Sequence, residues 1–267
     1  MSTDVFLYFN GDSFVEGCEL GDFLIPEYPG PCNFTDPENS ETKKWYNAVH
    51  TMGTELWHNR NKLLTSIKQE EKNRNFSSKL AQLLNVNFLN NALGGSGMDR
   101  IIRTTISDLN QLKKTEKNIV AIIGTAEPMR IELPVTDDFP WRTFHPGNKV
   151  DNEMLNMVLN YYYMNSSNYH KMFWFYTHVL LLQDFCKLNG IKLLWVSGNS
   201  PIVKDYPIED KFLNEKDIEQ LVEYVNFKPA VDMQELAKNI NRDVILPGYH
   251  YSEIVHCETA KKLYEQL

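Results

Sequence analysis

The sequence predicts an α/β fold with a mostly parallel sheet and helices on both faces. Apolar runs at 5–9, 86–90, 119–123 and 191–197 have the length and composition of buried strands. Stretches with helical spacing separate them, and strands that alternate with helices pair in parallel. Each run ends among Gly, Asn, Asp, Ser or Thr, so the residues suited to hold a ligand gather at one rim of the sheet.

Composition bounds the rest. The chain has 267 residues, 42% hydrophobic and 23% charged, enough apolar material for a sizeable core. A net charge of -8 argues against nucleic acid and anionic membrane as partners, since both need a basic surface. No apolar run is long enough to span a bilayer. The first apolar run has no basic flank and leads into a candidate site, so no secretory signal is expected and the cytoplasm is the expected location. Cys18, Cys32, Cys186 and Cys257 lack metal-ligand spacing, so reduced thiols and no metal or cofactor are expected, with Cys18 as a small buried residue.

The first strand, Val5 to Phe9, runs into Asn10-Gly11-Asp12-Ser13. A serine there stands at the carboxyl end of a strand, beside the backbone amides of the turn. Nucleophilic acyl transfer needs that pairing, because the attacking oxygen and the charge it creates lie a few ångströms apart. Gly, Asp and Ser also make ordinary turns. Leu20 to Asn39 is rich in Pro, Gly and Asp and reads as loop overhanging that turn. Glu41 to Leu84 has helical spacing, with a polar break at Glu70 to Asn75. Val86 to Leu89 is a short strand.

Asn90 to Ile101 carries Gly94-Gly95-Ser96-Gly97 between a strand and a helix, where backbone amides can approach an anion. A nucleotide loop is the competing reading, weakened by the lack of a full Gly-x-Gly-x-x-Gly or a Walker lysine. Asn118 to Ile123 is a buried strand ending in Gly124-Thr125-Ala126. Arg130 beyond it either orients a substrate or pairs with Glu132, and pairing is favoured. Leu133 to Asn148 reads as loop. Asp151 to Tyr163 and Asn168 to Asn189 read as helices, where Tyr161-Tyr162-Tyr163 with Trp174 form either a platform for a ring or chain or, as favoured, packing. The strand Ile191 to Ser197 is followed by Gly198-Asn199. Helices are expected at Leu213 to Tyr224, Met233 to Ile240 and Cys257 to Leu267.

The two ends together resemble the GDSL or SGNH hydrolase family of esterases and lipases. Gly11-Asp12-Ser13 with Glu16-Gly17 matches its first block. His250, Ser252 and His256 match its last block, usually His-Pro-Ser-x-x-Gly-His, with Tyr251 for Pro and Val255 for Gly. The resemblance implies a flavodoxin-like three-layer α/β/α sandwich in one domain over 1–267, with helical insertions near 25–75 and 133–175. It implies Ser13 as nucleophile, His250 as general base, and an oxyanion site from the amides of Ser13 and Gly95, with Gly94 as second choice. Asp12, Arg130 and Asn199 are assigned to substrate, an ester of a small molecule or carbohydrate. His145 is ranked below His250 as base, and His256 is given a hydrogen-bonding role.

Two family residues are replaced. Ala126 stands where an Asn supplies an oxyanion donor, and Thr125 is the candidate substitute. Pro247 stands where an Asp orients the histidine, leaving Asp243, Glu253 or a backbone carbonyl for that role. The Thr, Pro, Arg and Glu pattern around Thr125 to Glu132, with Arg103-Thr104-Thr105, resembles a divergent branch of the family found in bacteriophage genomes. That implies a host-cytoplasmic or virion setting. A serine ester hydrolase is the leading expectation, and a degenerate binding or virion-associated protein the alternative.

Overall fold

A computed structural model describes residues 5–25, 28, 59–128, 130–133, 142–144, 153–165, 168–198, 215–240, 244–246 and 250–267. Its centre is two neighbouring strands, β1 (Val5–Asn10) and β3 (Asn118–Thr125), paired in parallel with Phe9 opposite Ile122. Side chains alternate across a strand, and here both faces are apolar. Tyr8, Ile119, Ala121 and Ile123 join one core layer, while Leu7, Phe9, Val120 and Ile122 join the other.

The sheet runs β2-β1-β3-β6-β7, all parallel, with β2 at Phe88–Asn90, β6 at Lys192–Ser197 and β7 at Val231–Asp232. In chain order that is 2-1-3-4-5, the flavodoxin-like arrangement. The chain leaves β1 on one side and returns at β3 on the other, so a crevice opens above their carboxyl ends. One face is covered by α4 (Met98–Leu112), α6 (Asn168–Leu188) and α7 (Glu215–Val225). The other is covered by α3 (Phe76–Leu84), α8 (Met233–Asn239) and α9 (Glu253–Tyr264). The one-turn α1 (Ser13–Glu16), α2 (Leu64–Arg74) and α5 (Glu153–Asn165) complete the named helices.

Four sequence expectations are corrected. A fifth strand, β7, joins the sheet with two residues, too few to show a period. Part of the expected loop at 133–148 is an antiparallel hairpin, β4 (Ile131–Leu133) with β5 (Arg142–Phe144). The break expected over Glu70 to Asn75 is narrower than that run: α2 continues to Arg74, with Glu71 buried against Arg60 and Lys68, and the break falls at Asn75 alone. The helix stops at Asn75, whose side chain accepts the Ser78 N–H at 3.0 Å and so starts α3. The last helix begins at Glu253, four residues earlier than expected, so His256 lies inside it. Cys18, Cys186 and Cys257 are unpaired, and Cys32 lies outside the described residues. Cys18 is half-buried.

Candidate active site

The turn that carries Ser13 is built from the end of β1. Asn10 is fully buried; its Oδ1 accepts the Gly11 N–H at 2.8 Å, and its Nδ2 donates to Thr105 Oγ1 at 2.9 Å and Tyr8 Oη at 3.1 Å. Tyr8 in turn donates to Asp108 at 2.8 Å. Gly11 and Gly124 leave room for Val15. A Cβ on Gly124 would sit 2.2 Å from Val15 Cγ2, and one on Gly11 2.4 Å from it. Asp12 caps α1 by accepting the Phe14 N–H at 3.1 Å, and Gly17 closes the turn in the left-handed region at φ 83°. Ser13 is thereby fixed at the carboxyl end of β1, 8% exposed.

His250 reaches the same rim from the far end of the chain. Val244–Leu246 and His250–Ser252 run antiparallel, with Leu246 N–H donating to His250 O at 2.8 Å and Ser252 N–H to Val244 O at 2.7 Å. The imidazole packs on Phe14, the residue after Ser13, with ring centroids 5.4 Å apart. Among the described residues the Ser13 hydroxyl makes no hydrogen bond, to His250 or otherwise. Such bonds are often long without substrate and tighten when it binds.

The carboxylate behind His250 is Glu19, which sequence reasoning did not find. Its Oε2 lies 2.8 Å from His250 Nδ1. A proton held on Nδ1 by this contact leaves Nε2 as the basic nitrogen. Glu19 has φ 70°, a left-handed conformation uncommon for a side chain of this size. Its N–H donates to Glu71 Oε1 at 2.8 Å. Glu71 is held by Arg60 at 2.7 Å and Lys68 at 2.8 Å, and Arg60 also binds Asp22. Burial first, then the nearby Glu19 and Glu71, push the Asp22 carboxyl up to about 6 against the pull of Arg60. Of the acids named from sequence, Glu253 is occupied by Arg74 and Lys79, each at 2.8 Å. Asp243 and Pro247 lie outside the described residues, as do Asn199 and His145.

The glycine loop lies against Ser13: a Cβ on Gly94 would be 3.6 Å from Ser13 Cβ. The Gly94 N–H donates to Glu16 Oε2 at 2.6 Å, which commits that amide elsewhere. Gly95 has φ 80° and open space where its Cβ would be. Thr125 ends β3 and is buried.

Arg130 does not pair with Glu132. Its Nη1 donates to Asp12 Oδ2 at 3.2 Å and to Ser96 O at 3.3 Å, joining the loops on either side of Ser13. Glu132 lies on β4 beside α4 and takes Arg103 at 2.8 Å. Asp12 is nearly fully buried, one oxygen on the Phe14 amide and the other on Arg130, so its carboxylate faces inward. Burial raises its pKa while Arg130 opposes the rise. His256 accepts the Phe76 N–H at 3.2 Å and stacks on that ring; burial pushes its pKa down to about 3. Of the aromatic group, Tyr161 is exposed, while Tyr162 and Trp174 line a cavity beside Arg130.

No family model matches the chain, and no curated protein matches it in sequence. Solved structures give fold-level likeness only. A protein assigned to the G-D-S-L lipolytic family from Desulfitobacterium hafniense DCB-2 is 12% identical with a TM-score of 0.45, covering 98% of this chain and 99% of its own. A G-D-S-L family lipolytic protein from Veillonella parvula DSM 2008 is 13% identical with a TM-score of 0.42, covering 98% and 97%. An acetyl xylan esterase from the rumen bacterium Butyrivibrio proteoclasticus is 13% identical with a TM-score of 0.46, covering 100% of this chain and 64% of its own. At these scores the likeness decides nothing about chemistry, and the site rests on its own geometry.

Proposed function

We propose that the protein is a serine ester hydrolase, a single domain of the SGNH type acting on small-molecule or carbohydrate O-acyl esters. The observation that carries this reading is the 2.8 Å contact between Glu19 and His250, with the imidazole packed on the residue next to Ser13. An acid, a base and a hydroxyl are the parts that acyl transfer uses.

In this reading Ser13 Oγ attacks the acyl carbon and its proton passes to His250 Nε2. Glu19 stabilises the imidazolium. The amides of Ser13 and Gly95 hold the oxyanion, with the Thr125 hydroxyl in place of the donor lost at Ala126. The tetrahedral intermediate collapses, His250 gives its proton to the leaving alcohol, and water releases the acyl group by the same steps in reverse. Loss of one oxyanion donor costs ~100- to 1000-fold in a serine hydrolase, so a slow enzyme is expected unless Thr125 substitutes well.

The second reading is a binding or virion-associated protein that kept the fold and lost the chemistry. Ala126 and the unbonded Ser13 hydroxyl favour it. The bacteriophage setting rests on the quoted sequence pattern alone. The two readings part on one measurement. Hydrolysis of p-nitrophenyl acetate, with labelling of Ser13 by a fluorophosphonate, is expected for the native chain and not for Ser13→Ala. Equal rates for both proteins, or labelling that survives the substitution, would sink the hydrolase.

A further inference from the structure

Beside Arg130 a cavity of about 280 Å³ opens between β4, the start of α4 and the middle of α6. Its walls are largely carbon: Met98, Pro128, Ile131, Leu133, Phe175 and the indole of Trp174. Trp174 is 47% exposed yet held in place. Its Nε1–H donates to His170 Nε2 at 2.8 Å, and the His178 ring lies 5.7 Å from it on the other side. A half-exposed ring fixed in this way is a preformed platform, so little ordering cost falls on a ligand.

The polar groups around the cavity are matched except for one: the Arg130 Nε–H is buried without a hydrogen-bond partner. His178 contacts Asp99 at 2.9 Å through Nε2 and the Trp174 carbonyl at 2.7 Å through Nδ1. The other Asp99 oxygen accepts the Glu132 N–H at 3.2 Å, and the Glu132 carboxylate takes Arg103. A sugar ring would lose water from several hydroxyls and find a single free donor, whereas an apolar group loses nothing of the kind. An engineered apolar cavity of ~150 Å³ is enough for benzene, and this one is larger.

Two side chains join the cavity to the candidate nucleophile. Arg130 lines it and binds Asp12 and Ser96. Met98 lines it too, and its Sδ accepts the Ala126 N–H at 3.4 Å. A thioether wall therefore meets the position where the family resemblance expects a polar oxyanion donor.

We infer that this cavity receives an apolar group carried by the ester, either an alkyl chain of several carbons or one aromatic ring. The inference rests on the hydrolase reading and narrows it: a methyl ester of acetic acid leaves the cavity unfilled. The test uses two ester series followed by acid release. One is methyl esters from acetate to octanoate, and the other is acetates from methyl to octyl alcohol. In at least one series kcat/KM should rise about threefold per added carbon until the cavity is full. Trp174→Ala should flatten that rise, lowering kcat/KM far more for the octyl and octanoyl esters than for methyl acetate. Flat profiles in both series, or a rise that Trp174→Ala leaves intact, would overturn the inference.

Binding separates this inference from the hydrolase reading. Saturation-transfer NMR of octyl acetate and methyl octanoate on Ser13→Ala should show alkyl contact that Ser13→Ala/Trp174→Ala loses. Binding without turnover of any ester by the native protein would sink the hydrolase and keep the apolar site. Absence of binding would sink the site even if short esters are hydrolysed.

Discussion

The backbone N–H of Glu19 donates to the carboxylate of Glu71 at 2.8 Å, while the Glu19 side chain holds His250 at the same distance. One residue thus uses its main chain to fix its own place and its side chain to fix the imidazole. Its left-handed φ of 70° is the conformation in which both bonds are made.

In the proposed hydrolase, Glu19→Gln should lower kcat/KM by up to ~10,000-fold, the loss seen when a triad carboxylate is replaced by its amide. Glu19→Asp should recover part of the loss. Glu19→Gly suits the backbone but not the imidazole, so it should be stable and slow. Rate profiles against pH for the variants check this. A Glu19→Gln protein with the native profile would show that another group orients His250.

Glu71→Gln should act at a distance. Glu71 is almost fully buried between Arg60 and Lys68, and removing one partner of a buried pair costs about 3–5 kcal/mol. Part of that should appear as a lower denaturation midpoint. The remaining folded protein should show reduced kcat with KM little changed, because Glu19 loses its backbone anchor and substrate contacts do not.

His256 makes the fold acid-sensitive. Its folded pKa of about 3 lies below the ordinary value of 6.5, with burial as the leading cause. The unfolded chain therefore binds the extra proton over that interval. Stability from neutral His256 is fully present above pH 6.5 and is lost as pH falls from there towards 3. His256→Asn offers an oxygen to the Phe76 N–H without taking up a proton. Its melting temperature should be lower at pH 7 and fall less steeply between pH 6.5 and 4. Parallel curves for the two proteins would exclude His256 as the source of the slope.

Val15 sits between two glycines, and that contact can be measured. Gly124→Ala brings a methyl within 2.2 Å of Val15 Cγ2 and should cost about 1–3 kcal/mol. Val15→Ala in the same chain should return part of it, so the two substitutions should be less than additive in a double-mutant cycle. Strict additivity in urea denaturation would rule out the clash as the cause.

Much of this molecule was legible in its sequence for definite reasons. The central strands announce themselves because both of their faces are buried, which makes them apolar at every position from Leu7 to Phe9 and Ile119 to Ile123. The turn at Ser13 is marked by Gly, Asp and Ser. The two-residue β7 has no room for a pattern, and the hairpin β4–β5 is three residues a side. The break at Asn75 is marked by the polar run from Glu70, but the run hides the helix up to Arg74, because a buried acid with two cations looks like exposed surface in one dimension. Glu19 was invisible for a related reason. Its backbone conformation is set by Glu71 and its partner lies 231 positions away, so no local signal distinguishes it from a loop acid.

Ser13 and Glu19 stand six positions apart. In the proposed chemistry, hydroxyl and carboxylate are therefore inherited as one short piece of chain, and the closing segment contributes an imidazole alone. Recombination within that segment could not separate acid from nucleophile. Selection there narrows to a single side chain, and position 247, relieved of a charge, is open to the proline that occupies it.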